Sequence, residues 1–451
     1  MKQVTLIISA AGLSSRMGDF KPLMKVDGVP NIIRELDTFF AMGIREAVVI
    51  TGFRAEDIIA AVRKRYPEKG DHKVVFLNNP DYAITHMYDS LKIGLQYVKD
   101  EYTKAAGSGS AEGLPHEYGA VNGCADGLPH EDAVGNGRMD GMSYAEAAGS
   151  GSADGLPHVR AAGDGNAAGM SAECPLPGCD PEDISGVLTL PVDVPMAAPF
   201  TIKKILTTAC SAKPDAIFPE CCGEPGHPIF IHADALDRFL AFNGKGGLRG
   251  AYLSEAVHTV CIRTPDHGSI MDSDTPEAYA RLLQEAGQRR CPDRVRCEEI
   301  LRFFVKDKSL LAHSRAVAEL AYEMAGKTGL DVELCYAGGM LHDVAKGLKN
   351  HAEAGADCLH DLGYERIASL ARTHTELPAE YLETVNENLI VFLADKMVRG
   401  SERVTIDARF APKREKFRND PEAMKAFERR YALAKRCEEI YDQARKGTGS
   451  C

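Results

Sequence analysis

The hydrophobic rhythm of the chain changes twice, and each change rules out one continuous fold. Over the first hundred residues, short apolar runs at 4–9, 47–51 and 74–77 alternate with helical periodicity at 29–42, 55–66 and 87–98. Strand and helix signals in alternation, joined by short connections, imply a parallel sheet covered on both faces. From 103 to 183 large apolar residues almost vanish. Gly113-Leu114-Pro115-His116 recurs at 127–130 and 155–158, and degenerate copies start at Gly141 and Gly169, all in one 14-residue register. Such a composition cannot bury enough surface to offset its ordering entropy, so a disordered, tandemly duplicated insertion is expected. Its histidines are read as passengers of the expanding repeat. The α/β pattern resumes at 187–190 and runs to about 286, whereas from 297 onward the pattern is helical. The charged stretch 289–296, which contains Pro292, is the expected connection. The reading is therefore an α/β domain over 1–288, interrupted at 103–183, followed by an all-α domain over 297–451.

Bulk properties narrow the function classes. At 451 residues the chain is too long for one core. A net charge of −12 leaves no broad basic surface, so no nucleic-acid partner is expected, although a local phosphate pocket remains compatible. The 13 cysteines form no CxxC and no paired framework; Cys221 and Cys222 are adjacent. The N-terminus reads as a buried strand, not a signal peptide, and no apolar stretch is long enough for a bilayer. The expectation is a cytoplasmic chain with reduced thiols and no membrane contact.

The first chemical constellation follows the first strand. Ala10-Ala11-Gly12-Leu13-Ser14-Ser15-Arg16-Met17-Gly18 leads into Lys21-Pro22-Leu23. Small residues let backbone N–H groups approach phosphate oxygens, and Arg16 and Lys21 add cationic contacts. The loop sits at the carboxyl end of a strand, where α/β folds bind ligands. It is neither GxGxxG nor a Walker loop. Asp193 ends the strand at 187–190, and a carboxylate there can hold Mg²⁺ against a triphosphate. Asp272 and Asp274, in Asp272-Ser273-Asp274-Thr275-Pro276-Glu277, either complete that metal site or only cap the helix that follows.

At these residues the sequence resembles the nucleotidyltransferases that include molybdenum cofactor cytidylyltransferase and its guanylyl relatives. Further segments resemble that family in the same order: 79–82 through 90–95, Leu190-Pro191-Val192-Asp193-Val194-Pro195, Gly226-His227-Pro228 and 272–277. The resemblance implies a doubly wound α/β fold. It also implies transfer of a nucleotidyl group to a phosphorylated acceptor, with pyrophosphate released and Mg²⁺ as cofactor. The Ala-Ala-Gly form of the loop is similar to the CTP-using branch, so CTP is favoured over GTP, and a molybdopterin-type acceptor and contact with a molybdoenzyme are implied. On this resemblance Ala10, Ala11, Gly12, Ser14, Arg16 and Lys21 bind the nucleotide, and Arg16, Lys21 and Asp193 are catalytic. Two acceptor-side segments, 83–90 and 243–249, depart from the family pattern. Phosphocholine or a sugar phosphate stays open as acceptor.

A second constellation lies on the helices. His313, the pair His342-Asp343 and Asp395 can hold a divalent ion between helices. Asp395 lies in an apolar helix, where an unpaired carboxylate is costly. This order resembles the HD phosphohydrolase superfamily, with pattern H…HD…D over about 297–410. His351 and His374 match the further histidines of two-metal members. The resemblance implies one or two ions of a divalent transition metal such as Mn, Fe, Ni or Co, activating water against a phosphoester. The charged end of the chain, 413–445, is read as a solvated helix. An HD hydrolase with a nucleotide-sensing or cofactor-binding front domain is the competing arrangement.

Overall fold

The computed structural model describes residues 3–14, 16–107, 160–161 and 184–448. Apolar, β-branched stretches form strands β1 (Val4–Ser9), β2 (Glu46–Thr51), β3 (Lys73–Asn78) and β4 (Gly186–Pro191). Strands β5 (Ala216–Cys221), β6 (Ile229–His232) and β7 (Thr259–Arg263) complete the main sheet, in the spatial order β3-β2-β1-β4-β6-β5-β7. Period-two alternation divides each strand between two cores. Leu6 and Ile8 of β1 pack in one core with helices α1 (Asn31–Ala41) and α2 (Ala55–Arg65). Ile7 packs in the other with α3 (Met87–Gly107). A helix layer on each face is the doubly wound arrangement the resemblance implied.

The sheet departs from the expected all-parallel pattern at one strand: β6 runs antiparallel to both β4 and β5. The cause is loop length. Only residues 222–228 join β5 to β6, and a parallel return needs a crossover of about a dozen residues or more. Helix α3 also outruns its expected end at 98, because the Tyr102 hydroxyl donates to the carbonyls of Gln3 (2.6 Å) and Gly186 (3.0 Å) and ties the extra turns to the sheet. The repeat segment expected to be disordered lies outside the described residues, apart from its first residues in α3 and the pair Arg160–Ala161. That pair runs parallel to Val260–Cys261 of β7.

Helices α4 (Pro199–Ala212), α5 (Leu236–Ala241) and α6 (Gly247–Tyr252) complete the α/β layers, and α7 (Pro276–Arg290) closes the domain. The helical part follows as α8 (Arg294–Phe304), α9 (Lys308–Gly326), α10 (Val332–Leu341), α11 (His351–Asp361), α12 (Glu365–Thr373) and α13 (Glu387–Lys396). The expected linker is not a free tether. Only residues 291–293 separate α7 from α8, and the junction is packed. Fully buried Phe200 of α4 meets Phe303 and Phe304 of α8 edge-on, at ring-centroid distances of 6.3 and 5.6 Å. Arg296 donates from one nitrogen to both oxygens of buried Glu285, at 2.9 and 3.0 Å. Lys203 of α4 reaches Asp361 of α11 at 2.7 Å.

The C-terminal segment forms α14 (Ile406–Lys416) and α15 (Pro421–Thr448). It is less solvated than its charge implied: Phe427, Ala434 and Cys437 are buried against α9 and α13. Among the described cysteines, Cys210 and Cys358 are disulfide-bonded, which departs from the expectation that all thiols are reduced. No helix among the described residues is long and apolar enough to cross a membrane.

Candidate functional site

At the carboxyl ends of β1 and β4 the first constellation assembles. The loop after β1 is pinned at its base, where Ala10 N–H donates to Ile50 O (2.9 Å) and Phe53 N–H to Ala11 O (3.2 Å). Gly52 is required for this approach: a Cβ there would lie 2.7 Å from Ala11 O and 2.7 Å from the Tyr82 Cβ. Ser14 sits in the left-handed region (φ 55°), and its hydroxyl accepts the Lys21 amide at 3.3 Å, closing the loop. Gly12 is exposed at the loop crest, with space around its Cα.

Lys21 is the centre of the site. Its ammonium lies 3.1 Å from Asp193 Oδ2 and bonds Asp274 Oδ1, while Arg16 Nη2 reaches Asp274 Oδ2 at 3.2 Å. Residues 172 and 253 positions apart in sequence thus share one ammonium. The backbone reinforces the pairing, since Ser273 N–H donates to Asp193 O at 2.9 Å. Burial pushes Asp193 up to about 6, even though Lys21 pulls it down. Burial works the same way on Asp274, but the hydrogen bond and charge of Lys21 outweigh it and hold that carboxyl below the usual range. Burial lowers Lys21, yet the two carboxylates overcome it and raise the amine. Asp272 is exposed, and its carboxylate accepts the Asp274 amide at 2.8 Å; Thr275 caps α7. The turn and the cap are therefore both present, and the same turn presents Asp274 to Lys21. Two carboxylates at one point are hard oxygen donors that fit a divalent cation such as Mg²⁺.

Two residues beside this cluster escaped the sequence reading. Asn31, buried, donates to Lys21 O at 3.0 Å. Glu35, one turn later on α1, has both carboxylate oxygens buried without a partner, and burial together with the Asp193 charge raises it well above the usual carboxylate range. Both sit on the apolar face of an amphipathic helix, and only their polarity at core positions could have flagged them. The two acceptor-side segments that depart from the family pattern do meet. Tyr88 donates to Phe239 O at 2.6 Å, Lys92 donates to Phe242 O at 2.7 Å, and a Cβ at Gly247 would lie 3.6 Å from that of Tyr88.

The second constellation is a buried knot. His313 comes from α9, His342 and Asp343 follow α10, His351 opens α11, His374 ends α12, and Asp395 lies in α13. Gly339 makes the α9–α10 crossing close enough, since a Cβ there would lie 2.6 Å from the Ala318 Cα. The rings of His313, His342 and His374 each point Nδ1 at a backbone carbonyl, of Gly400 (2.9 Å), Gly339 (2.7 Å) and Ala371 (2.6 Å). An Nδ1–H so engaged fixes the tautomer and turns Nε2 inward, as metal-ligating histidines do. Those Nε2 atoms converge on carboxylates. Asp343 Oδ1 lies 3.3 Å from His351 and 3.2 Å from His374, its Oδ2 lies 3.4 Å from His342, and Asp395 Oδ1 lies 3.2 Å from His313. Buried His342 Nε2 and His374 Nε2 have no hydrogen-bond partner. All six predicted residues are together, and the donor set of imidazoles and carboxylates around Asp343 fits one or two divalent ions.

Electrostatics agree with that reading. Burial lifts both carboxyls, but His342 and its neighbours hold Asp343 far below the usual range, and Lys396 with His313 does the same for Asp395. Burial keeps His374 below the ordinary imidazole value, which suits a neutral ligand. Two lysines that the sequence analysis did not single out adjoin the knot: Lys346 lies 3.0 Å from Asp343, and Lys396 lies 2.6 Å from Asp395.

A small-residue loop with a lysine and paired carboxylates on an α/β sheet is thus joined to a helical cluster of histidines and carboxylates. The MobA-like NTP transferase domain model matches residues 6–106 and 145–259, and the HD domain model matches residues 310–400. The first part of the chain is a MobA-like NTP transferase domain, and the second carries an HD domain. Curated relatives include an uncharacterized protein of Methanocaldococcus jannaschii, 35% identical over 122 residues, which span 22% of this chain and 72% of that protein. A tRNA (cytidine(56)-2'-O)-methyltransferase of Thermoplasma volcanium is 30% identical over 133 residues, or 26% of this chain and 39% of that protein. Ribonuclease Y of Treponema denticola is 29% identical over 135 residues, or 28% of this chain and 26% of its own length. Among solved structures, a nucleotidyl transferase from Methanothermobacter thermautotroptrophicus aligns over 64% of this chain and 99% of its own, at 16% identity and TM-score 0.37. The molybdopterin-guanine dinucleotide biosynthesis protein A from Archaeoglobus fulgidus aligns over 63% and 99%, at 11% identity and TM-score 0.33.

Proposed function

We propose that the α/β domain transfers a nucleotidyl group from CTP to the terminal phosphate of a molybdopterin-type acceptor and releases pyrophosphate. The observation that carries this reading is the single ammonium of Lys21 between Asp193 and Asp274, beside a small-residue loop at the carboxyl ends of β1 and β4. Ala10, Ala11, Gly12 and Ser14 line the backbone path of the triphosphate. Arg16 and Lys21 face the charge that builds on the leaving pyrophosphate, and an incoming phosphate draws Lys21 off the carboxylates. Asp193 and Asp274 hold Mg²⁺, which when bound offsets phosphate charge; Asp272 positions Asp274 through its amide. No covalent residue is required, because positioning and charge carry this class of transfer.

The helical domain is the hydrolytic partner. His313, His342, Asp343, His351, His374 and Asp395 hold the divalent ions, which when bound activate water as Lewis acids. Lys396 helps hold the Asp395 carboxylate in its charged form, and Lys346 lies against Asp343. The test of the transferase half is pyrophosphate release by the full chain with CTP or GTP, offered molybdopterin, phosphocholine or a sugar phosphate. Release that requires CTP and molybdopterin together is expected. Release with another pair, or with none, overturns the substrate assignment.

A further inference from the structure

Outside both sites, one cluster of metal-ligating side chains lies where the two domains meet. Strand β5 ends at Cys221 and turns back through Cys222-Gly223 to Glu224, which pairs with Cys221. Both turn residues have left-handed backbones, Cys222 at φ 55° and Gly223 at φ 86°. That conformation is natural for glycine and uncommon for cysteine. Its consequence is that two adjacent side chains, which alternate in a strand, lie together here, with their sulfurs 3.9 Å apart. His267 arrives from the short helical turn His267–Ile270 and places Nε2 at 3.7 Å from Cys222 Sγ. Glu299 arrives from α8, across the domain junction, with Oε2 at 3.1 Å from the same Nε2.

We propose that Cys221, Cys222 and His267 form three corners of a tetrahedral site for a thiophilic divalent cation of the Zn²⁺ class, with the fourth position taken by water. The spacing supports this. With Zn–S near 2.3 Å and Zn–N near 2.1 Å, tetrahedral edges come to about 3.8 Å for S–S and about 3.6 Å for S–N. The corresponding separations are 3.9 and 3.7 Å, and Cys221 also lies within 4.8 Å of the His267 ligand atom. Two sulfurs and one imidazole favour a soft or borderline metal over Mg²⁺. Glu299 stays outside the ligand set, held between His267 and Arg296, whose Nε lies 3.4 Å from its Oε2. Binding releases both thiol protons to solvent and involves no redox step. The site joins the hairpin after β5 to the turn His267–Ile270, so occupancy stiffens this side of the α/β domain, beside the junction with α8.

The experiment uses the full chain, reduced and stripped of metal, titrated with Co²⁺. Thiolate-to-cobalt charge transfer in the near ultraviolet reports this site alone among the described clusters, because the HD knot contains no sulfur. The band should saturate at one Co²⁺ per chain beyond what the HD knot takes up, Zn²⁺ should bleach it, and His342→Ala should leave it in place. Cys222→Ser, at an exposed position, and His267→Asn should each weaken binding by more than about tenfold, since even outer-shell changes cost about 10–100-fold. Zn²⁺ should raise the thermal midpoint of the wild-type chain by more than that of Cys222→Ser, in which only the HD knot is left to bind it. A reduced chain that gives no thiolate band, or a band unchanged in both variants, overturns the proposal.

Discussion

The two sites hold charge in opposite ways. In the HD knot three of the four histidine rings are held by backbone carbonyls, Asp343 and Asp395 are 2% and 12% exposed, and two imidazole nitrogens face inward without a partner. Such preorganisation suits a resident ion. In the transferase site Arg16 is 62% exposed, and Lys21 is shared between two carboxylates. That site is charge-balanced in itself, so on the proposed function Lys21 has to leave the carboxylates before a triphosphate enters. On the same reading a resident ion suits a buried knot, whereas an exchanging polyanion suits the open carboxyl ends of the strands, where the cations can move.

The sharpest way to break this contrast is to remove the residue that joins the knot together. Asp343→Ala removes the carboxylate shared by His342, His351 and His374. Metal content should fall to background and phosphoester hydrolysis should drop by more than about 10²-fold, beyond the cost of an outer-shell change. Pyrophosphate release should survive, because the first site contributes none of these ligands. Elemental analysis and paired assays on one preparation check this; loss of both activities would show that the packed junction couples the sites.

A smaller effect is expected from Lys21→Ala. It should slow nucleotidyl transfer by about 10²–10³-fold, the usual cost of deleting a preorganised charge contact, while hydrolysis and metal content stay at wild-type levels. Steady-state rates at saturating CTP decide it. A rate within about threefold of wild type would move Lys21 from chemistry to structure.

The smallest effect concerns Glu35. Burial raises its folded carboxyl well above the usual range, so between the unfolded and folded values the native state binds more protons. Its contribution to stability is therefore lost as pH rises through that window. Glu35→Gln should melt higher than wild type at pH 8, and the advantage should vanish near pH 4, where the unfolded chain is also protonated. Calorimetry at both pH values tests the sign. A lower midpoint at pH 8 would mean that the Glu35 carboxylate has a partner in solution.

Strand and helix identities were legible in the sequence because period-two and period-3.6 patterns report burial locally. Val4–Ser9, the helix from Ala55 and the strand at 187–190 needed no tertiary information. The six knot residues were legible because their order along the chain resembles the H…HD…D pattern with further histidines between; Asp395 alone stood out by context, in an apolar helix where an unpartnered charge would be costly. Other features depended on chain reversal and on contacts distant in sequence. The antiparallel direction of β6 followed from a short connection. The burial of Phe200 and Arg296 turned an expected tether into a packed junction. Asn31 and Glu35 read as ordinary members of an amphipathic helix until the fold placed Lys21 and Asp193 beside them. Composition and period fix what a segment wants to bury. Which groups end up sharing one ammonium, 172 and 253 residues apart, is decided only when the strands are laid side by side.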